Sequence, residues 1–171
     1  MTNKQKMTSA EAAKLLRKWN EELAALEERE NISREFVATA GEDLEAVRPE
    51  YDYAVMQEKI RELEGRIRAL KHALNLFNAK TLIPEFAMTI DQLLVYIPQL
   101  SKKKAKLAQM AAKLPLSREV RYNSNLVEYR YTNYDPEEVR ADLEAVSDEL
   151  AQAQTLLDTV NNTKTFDFVI E

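Results

Sequence analysis

Sulfur chemistry and tight turns are largely missing from this sequence. Its 171 residues include no cysteine, two glycines, five prolines and a single histidine. Without cysteine there is neither a disulfide framework nor a thiol nucleophile. Two glycines cannot build a phosphate-binding loop, and one histidine cannot provide a histidine-rich metal centre. These absences exclude several common classes of enzyme and metal protein.

An excess of positive charge is missing as well. The chain has 29 acidic residues against 24 lysines and arginines, and its formal net charge is −5. Proteins that bind phosphate backbones over a wide area are usually basic. We therefore do not expect nucleic acid as the main partner, although a local basic patch is compatible with this composition.

Long hydrophobic runs are the third absence. The densest apolar stretch, residues 93–97, is far shorter than the roughly 20 residues that a membrane-spanning helix needs. Glu11, Lys14 and Arg17 interrupt the apolar residues near the start, so this segment lacks the pattern of a secretory signal. We expect a cytoplasmic protein, consistent with its lack of cysteine, and we do not expect a membrane partner.

Apolar residues at heptad spacing are what the sequence has instead. Hydrophobic residues make up 45% of the chain and charged residues 31%. Four segments carry apolar residues alternately three and four positions apart, which is typical of helices that pack along one seam. The seams run over residues 12–26, 56–77, 93–114 and 139–160. The sequence therefore predicts four long helices.

Helix-capping residues precede each seam. Thr8 and Glu11 have the spacing of a capping box. Asp52 and Thr89 stand at the same place before the second and third seams. Asp135 is followed by a proline and two glutamates, which is a strong helix start. These residues predict where the four helices begin.

Short β-elements are predicted at the bends between helices. Residues 120–122 and 127–131 alternate in polarity around the turn-forming residues 123–125, which predicts a β-hairpin. In the first bend, residues 36–37 followed by 40–41 predict a short strand and a turn. The alternation of residues 166–170 is compatible with one more strand at the end of the chain.

Short motifs occur twice in the same order. Those of the first half are Met7-Thr8, Ser33-Arg34-Glu35-Phe36, Tyr51-Asp52 and Phe77-Asn78. Those of the second half are Met88-Thr89, Ser117-Arg118-Glu119-Val120, Tyr134-Asp135 and Val160-Asn161. The alternative is that all amphipathic helices look alike, which accounts for the leucines but not for the motifs outside the seams. We favour an internal duplication.

The predicted fold follows from the helices and the repeat. We expect a mainly α protein of elongated antiparallel helical hairpins, with four long helices and small β-hairpin elements at the bends. A first helix–β-element–helix half covers residues 1–86, and a second helix–β-hairpin–helix half covers residues 87–171. Together the halves form one structural unit.

Arginine and tyrosine cluster in the second predicted bend. The candidate interaction surface consists of Arg118, Arg121, Tyr122, Tyr129, Arg130 and Tyr131. Both residue types are favoured at binding surfaces because they give large contact areas and directional hydrogen bonds. The alternative is that the tyrosines pack the hairpin on the helices while the arginines pair with Glu119 or Glu128. The first half lacks this cluster, so a specific role would belong to the second half.

The remaining polar residues indicate no catalytic residue, cofactor or metal. His72 lies off its seam and is predicted on the surface. The run from Lys102 to Lys106 is predicted to be a solvated helix face. Lys104, at a seam position, either sets register or packs its stem and extends its ammonium group into solvent. The seams lack the inward carboxylates of di-iron bundles, and Ser101 and Ser147 have no base at a recognisable spacing.

Several of these motifs are similar to those of a known family. They are Lys71-His72-Ala73-Leu74-Asn75, Met88-Thr89-Ile90-Asp91-Gln92-Leu93-Leu94, Ser117-Arg118, Glu128-Tyr129 and Tyr134-Asp135. Over residues 70–162 the chain resembles a family of small uncharacterised bacterial coiled-coil proteins, some labelled septicolysin. The resemblance implies a bacterial, mostly helical protein with no known enzyme activity. The label itself would imply membrane damage. The sequence gives this little support, because it has no membrane-spanning run.

The expected function is non-enzymatic. The doubled apolar positions Leu15/Leu16 and Leu93/Leu94 exceed the need of one seam, which favours burial against a second subunit. We therefore expect a coiled-coil interaction or scaffold protein that forms homo-oligomers. One alternative is a client-binding module, because helix–hairpin–helix architecture resembles that of prefoldin subunits, although fold does not imply function. The other is a membrane-active protein of the septicolysin type.

Overall fold

Helices account for most of the chain. The computed structural model describes residues 3–119 and 127–170. Within them lie the helices α1 Ser9–Ser33, α2 Leu44–Val47, α3 Tyr53–Lys80, α4 Ile90–Ala111 and α5 Pro136–Thr163. The strands are β1 Asn3–Thr8, β2 Leu82–Ile83, β3 Met88–Thr89, β4 Leu116–Glu119, β5 Glu128–Tyr131 and β6 Thr165–Ile170. The fold is mainly α, with three antiparallel strand pairs: β1–β6, β2–β3 and β4–β5.

The four predicted helix starts are confirmed by hydrogen bonds at the caps. The Thr8 side chain accepts from the Glu11 backbone N–H, and the Glu11 carboxylate accepts from the Thr8 N–H at 2.8 Å. Thr89 forms the equivalent bond with Gln92 at 2.9 Å. Asp52 accepts from the N–H of Val55 at 3.1 Å, and Asp135 accepts from that of Glu137 at 2.9 Å. Each bond satisfies a donor that the first helical turn leaves free.

Contacts between residues divide the chain into two compact units. Unit 1 comprises Met1–Asn78 with Val160–Glu171, and unit 2 comprises Ala79–Thr159. The predicted halves were residues 1–86 and 87–171. Residues 79–86 thus lie in the second unit, while residues 160–171 return to the first.

Unit 1 buries the seams of α1 and α3 against the pair of strands formed by the two ends of the chain. Its core consists of Met7, Ala12, Trp19, Leu63, Ile67, Leu70 and Phe168. In the β1–β6 pair, Met7 lies opposite Phe166 and Thr8 opposite Thr165. The rings of Trp19 and Phe168 lie 6.5 Å apart, so β6 contributes directly to the core. The strand considered for residues 166–170 is confirmed as β6. Its partner, β1, was not predicted.

The first bend differs from the prediction. Residues 34–39 form no strand; a turn follows at residues 40–42, and α2 begins after Asp43, which accepts from the Glu45 N–H at 3.1 Å. The turn itself is confirmed, because Gly41 has φ +91° and the Glu42 N–H donates to Thr39 at 3.0 Å. The predicted strand at residues 36–37 was wrong, since an extended segment needs a hydrogen-bonded neighbour and the bend offers none.

Unit 2 is built around α4 and α5. Its buried residues fall on the predicted seams; they are Leu93, Leu100, Leu107, Val139, Val146, Leu150 and Ala153, together with Ile83 and Ile90. The Tyr96 hydroxyl, on α4, donates to Glu149 Oε1, on α5, at 2.6 Å. Between α3 and α4, strands β2 and β3 flank a 3₁₀ turn over Pro84–Phe86.

A pair of strands, β4 and β5, lies where the hairpin between α4 and α5 was predicted. β5 matches the second predicted strand closely, but β4 begins earlier than expected, at Leu116. The first predicted strand, residues 120–122, lies outside the described residues, as does the turn at 123–125. Among the described residues, every helix is too short or too polar to span a bilayer.

Candidate interaction surface

The register of β4 and β5 sorts the hairpin residues onto two faces. Leu116 pairs with Tyr131 and Arg118 with Tyr129, while Ser117 pairs with Arg130 and Glu119 with Glu128. Because side chains alternate along a strand, the first two pairs share one side of the pair and the last two share the other. We call Leu116, Arg118, Tyr129 and Tyr131 the hairpin face.

The hairpin face is open to solvent. Leu116 is 48% exposed, Tyr129 52% and Tyr131 70%, and Arg118 is exposed too. Apolar and aromatic side chains therefore surround one cation on the same side of two short strands. These residue types contribute most of the energy in protein interfaces when a partner covers them.

The other side of the hairpin is charged and partly covered. Ser117, Glu119 and Glu128 are half-buried. Both oxygens of Glu119 accept from the Arg130 guanidinium, with Nε donating at 2.9 Å, and this bidentate pair spans the two strands. The hydrogen bond to Glu119 raises the pKa of Arg130 above its usual value. The charged side thus stabilises the hairpin internally and leaves the opposite face for contact.

Two hydrogen bonds fix the base of the hairpin to unit 2. The Thr132 N–H donates to the Pro115 carbonyl at 3.1 Å. The Tyr134 hydroxyl donates to the Met110 carbonyl at 2.9 Å, which also satisfies an acceptor in the last turn of α4. The strands are therefore held where α4 ends and α5 begins.

The structure brings together four of the six candidate residues. Arg118, Tyr129 and Tyr131 lie on the hairpin face and Arg130 on the reverse side. Arg121 and Tyr122 lie outside the described residues. The alternative that tyrosines pack onto the helices holds for half-buried Tyr134 but not for Tyr129 or Tyr131, and Arg130 does pair with Glu119. The binding role of the hairpin face stays a prediction.

Exposed apolar side chains also occur around the first bend and were missed. The most exposed of them are Ile32 at 67%, Val37 at 97%, Leu44 at 52% and Tyr53 at 67%. We call these four residues the first-bend surface. These side chains lie outside every predicted seam, so the heptad pattern does not assign them to the core.

Polar contacts hold the first bend in place. Oε1 of Glu30, near the end of α1, accepts from the Tyr51 hydroxyl at 2.8 Å and from the Gln57 amide at 2.7 Å. The bond to Glu30 raises the pKa of Tyr51. The guanidinium of Arg48 lies over the Phe36 ring, 5.8 Å from its centroid. These contacts join the two ends of the bend around one carboxylate.

The lysine run lies on the exposed side of α4. Lys102, Lys103, Lys104 and Lys106 are all exposed. Lys104 occupies a seam position, while its seam neighbours Leu100 and Leu107 are buried at 3% and 8% exposure. The solvated face predicted for this run is present.

The predicted surface histidine and the two seam-side serines have ordinary environments. His72 is exposed and lines an open groove of about 570 Å³ between α3 and β6, beside Gly65 and Phe168. The Ser101 and Ser147 hydroxyls donate to the carbonyls of Ile97 and Leu143, one helical turn earlier. No group of three or more potential metal ligands occurs among the residues that the structure describes.

Comparisons with other proteins identify the fold and leave the role open. Neither family models nor curated proteins match the chain. The chain is similar to the crystal structure of a functionally unknown conserved protein from Corynebacterium diphtheriae, with a TM-score of 0.60 and 22% identity. The match covers 95% of this chain and 99% of that one, so the fold is shared over nearly the whole length.

Proposed function

We propose that this chain is a cytoplasmic, non-enzymatic coiled-coil interaction protein that self-associates and acts as a scaffold. The observation that carries the proposal is the hairpin face, where Leu116, Tyr129 and Tyr131 are exposed around Arg118. The resemblance to bacterial coiled-coil proteins without known enzyme activity agrees with this role.

The energetics of the hairpin face favour a partner. Fully burying a side chain such as leucine gains about 1.5–3 kcal/mol, and tyrosine and arginine are enriched among interface residues that dominate binding. In addition, each strand of a two-stranded pair has one edge without a neighbour in its sheet, which can accept a further strand. A second copy supplies both an apolar face and a strand edge.

The proposed architecture places these surfaces on helical supports. In it, α1 with α3 and α4 with α5 form two antiparallel helical hairpins derived from a duplicated half. Supporting this, Thr8 and Thr89 cap the first helix of each pair, and Asp52 and Asp135 cap the second. The bends then present exposed apolar side chains at helix ends.

Light scattering at several protein concentrations tests self-association. The wild-type chain should have the molar mass of a dimer or larger assembly, and Tyr129→Ser/Tyr131→Ser should lower the mass at a given concentration. Leu82→Ser is the matched control, because Leu82 is 54% exposed but lies away from the hairpin, on β2. A wild-type protein that is monomeric throughout would contradict the proposal.

A second candidate function is the binding of unfolded protein clients. The observation that favours it is the first-bend surface, which adds exposed apolar side chains to those of the hairpin face. Exposed apolar patches on a folded protein commonly mark sites of protein interaction. The wild-type chain should then slow the aggregation of a denatured model client, and Val37→Ser/Tyr53→Ser should reduce this effect. An unchanged aggregation curve with wild-type protein would remove this candidate.

A further inference from the structure

Opposite charges are separated between the two long helices of unit 2. Helix α4 has four lysines, Lys102, Lys103, Lys104 and Lys106, against one aspartate. Helix α5 has seven acidic residues against one arginine, Arg140. By contrast, α1 and α3 each intersperse several residues of both signs. Unit 2 therefore contains one basic helix, α4, and one acidic helix, α5.

Within residues 3–119 and 127–170, the lysines of α4 have no carboxylate partner. All four are exposed, and among the described residues no salt bridge joins them to Asp or Glu. Like charges three or four positions apart on a helix repel each other. A surface that concentrates unneutralised positive charge is stabilised when a negative surface covers it.

A second heptad stripe lies beside the lysines. Leu94, Pro98, Ser101, Ala105, Ala108 and Ala112 follow one another at alternating steps of four and three. Leu94 is 45% exposed, and the other members are exposed too. Small residues at this spacing let another helix approach closely. Helix α4, with its C-terminal capping residue Ala112, therefore presents a second stripe of heptad period that is exposed to solvent.

The outer side of α5 has the matching pattern. Glu137, Ala141, Glu144, Asp148 and Ala151 are spaced by four and three, and all are exposed. Three acidic side chains and two alanines form this stripe. Lys102 and Lys106 are four positions apart, and so are Glu144 and Asp148. The basic pair on α4 and the acidic pair on α5 therefore have the same spacing.

The charges also lie at the same level along the two helices. Lys102 lies nine residues before Ala111, the last residue of α4, and Glu144 lies eight residues after Pro136, the first residue of α5. At 1.5 Å per residue the difference is about 1.5 Å. The hydrogen bond from Tyr134 to Met110 joins the end of α4 to the start of α5. The Tyr96–Glu149 bond joins residues at similar distances from these two ends, as expected for antiparallel helices.

We infer that a second copy of this chain packs side by side against unit 2, with α4 of each copy antiparallel to α5 of the other. A two-fold axis makes this contact twice. The arrangement places both β4–β5 hairpins at the same end of the pair. The inference rests on the proposed self-association and adds a helix contact to the contact made by the hairpin face.

Other polyanions fit this surface less well. A membrane or a nucleic acid would neutralise the lysines, but neither needs an alanine stripe of heptad period, and the net charge of −5 opposes both. The acidic stripe of α5 would also remain uncovered. A second copy covers the basic and acidic stripes together.

Charge reversal tests the contact by sedimentation equilibrium of the full-length chain. Lys102→Glu/Lys106→Glu and Glu144→Lys/Asp148→Lys should each weaken self-association more than about tenfold, because like charges then face each other. An equimolar mixture of the two variants should recover the assembly, because each reversed helix meets its complement. Lys14→Glu/Lys18→Glu on α1 has the same change in charge as the first variant and should associate as wild type does.

The outcomes separate this inference from the proposed function. If wild-type protein self-associates but neither variant changes the dissociation constant, the helix contact is wrong and self-association stands. If each variant is monomeric and the mixture is monomeric as well, the contact is wrong again. If wild-type protein is monomeric at every concentration, both fail. Anionic vesicles that cosediment with this monomer, but not with Lys102→Glu/Lys106→Glu, would assign the lysines to a membrane instead.

Discussion

The position of a residue within its heptad decides whether it is buried. Leu70 and Leu93, both at seam positions, are fully buried. Leu94, the next residue after Leu93, is 45% exposed. On a helix, consecutive residues point about 100° apart, so a single step moves a side chain from the core to solvent.

Leu63→Asp tests the burial of the second seam. Leu63 is 4% exposed and belongs to the core of unit 1, so an aspartate there has no partner and should lower the free energy of unfolding by about 3 kcal/mol or more. Leu76→Asp, on the same helix at 44% exposure, should change it by less than about 1 kcal/mol. Denaturant unfolding measures both. Equal effects of the two substitutions would show that the seam is not the core.

The hydrogen bond between Tyr96 and Glu149 makes the free energy of unfolding depend on pH in the alkaline range. The bond to Glu149 is the main cause that raises the pKa of Tyr96 above 10.0, with burial as a smaller cause. In the unfolded chain Tyr96 loses its proton first as the pH rises. The contribution of the bond is therefore complete below pH 10.0 and disappears as the pH rises through the pKa of the folded state.

Tyr96→Phe tests this bond between α4 and α5. At neutral pH the substitution should lower the free energy of unfolding by up to about 1 kcal/mol, a modest value because water reaches the pair. The difference from wild type should shrink above pH 10.0, since the wild-type bond is lost there. Urea unfolding across this pH range gives the result, with exposed Tyr131→Phe as the control. A difference that grows with pH would contradict the assigned bond.

At the scale of secondary structure, local signals predicted helix starts better than bends. A capping residue such as Thr8 or Asp135 acts within three residues of itself, so the sequence contains the whole interaction. The first bend depends on Glu30 meeting Tyr51 and Gln57, which are more than twenty positions away. No local pattern describes such a contact, so the sequence did not predict how the first bend is held.

Strand β1 shows the same limit. Its sequence, Asn3 to Thr8, has little apolar alternation, and it becomes a strand because β6 lies beside it. The alternation of Phe166 and Phe168 was visible in the sequence, but the choice of partner spans nearly the whole chain. Pairing between the two chain ends follows from the tertiary fold and not from local preference.

Phe168→Ala tests the contribution of β6 to unit 1. Phe168 is 4% exposed and its ring lies against Trp19, so its truncation should lower the free energy of unfolding by about 3–5 kcal/mol. Val169→Ala, the neighbouring substitution at 39% exposure, should cost less than about 1 kcal/mol. The single tryptophan, Trp19, reports the transition of unit 1 by fluorescence. An unchanged midpoint for Phe168→Ala would mean that β6 does not stabilise this unit.

At the scale of the whole molecule, the chain has two units and several uncovered surfaces. The units divide after Asn78 and again before Val160, so the last residues of the chain belong to the same unit as the first. The sequence predicted a division between 86 and 87 because the repeated motifs mark it there. Repeated motifs indicate similarity between two parts of a sequence. The compact units also depend on tertiary contacts, such as the pairing of β1 with β6.

The candidate surface was predictable in composition but not in orientation. Arginine and tyrosine around residues 118–131 indicated a binding surface, yet the alternative in which the tyrosines pack inward had the same sequence pattern. Only the register of β4 and β5 puts Tyr129 and Tyr131 together with Arg118. A shift of register by one residue would exchange the faces, and short strands carry too little apolar pattern to exclude it.

The most direct test is the mass of the wild-type chain in sedimentation equilibrium over a wide range of concentrations. A chain of 19.7 kDa that acts through self-association should reach at least twice that mass and should dissociate on dilution. A single species of 19.7 kDa at every concentration would contradict the account.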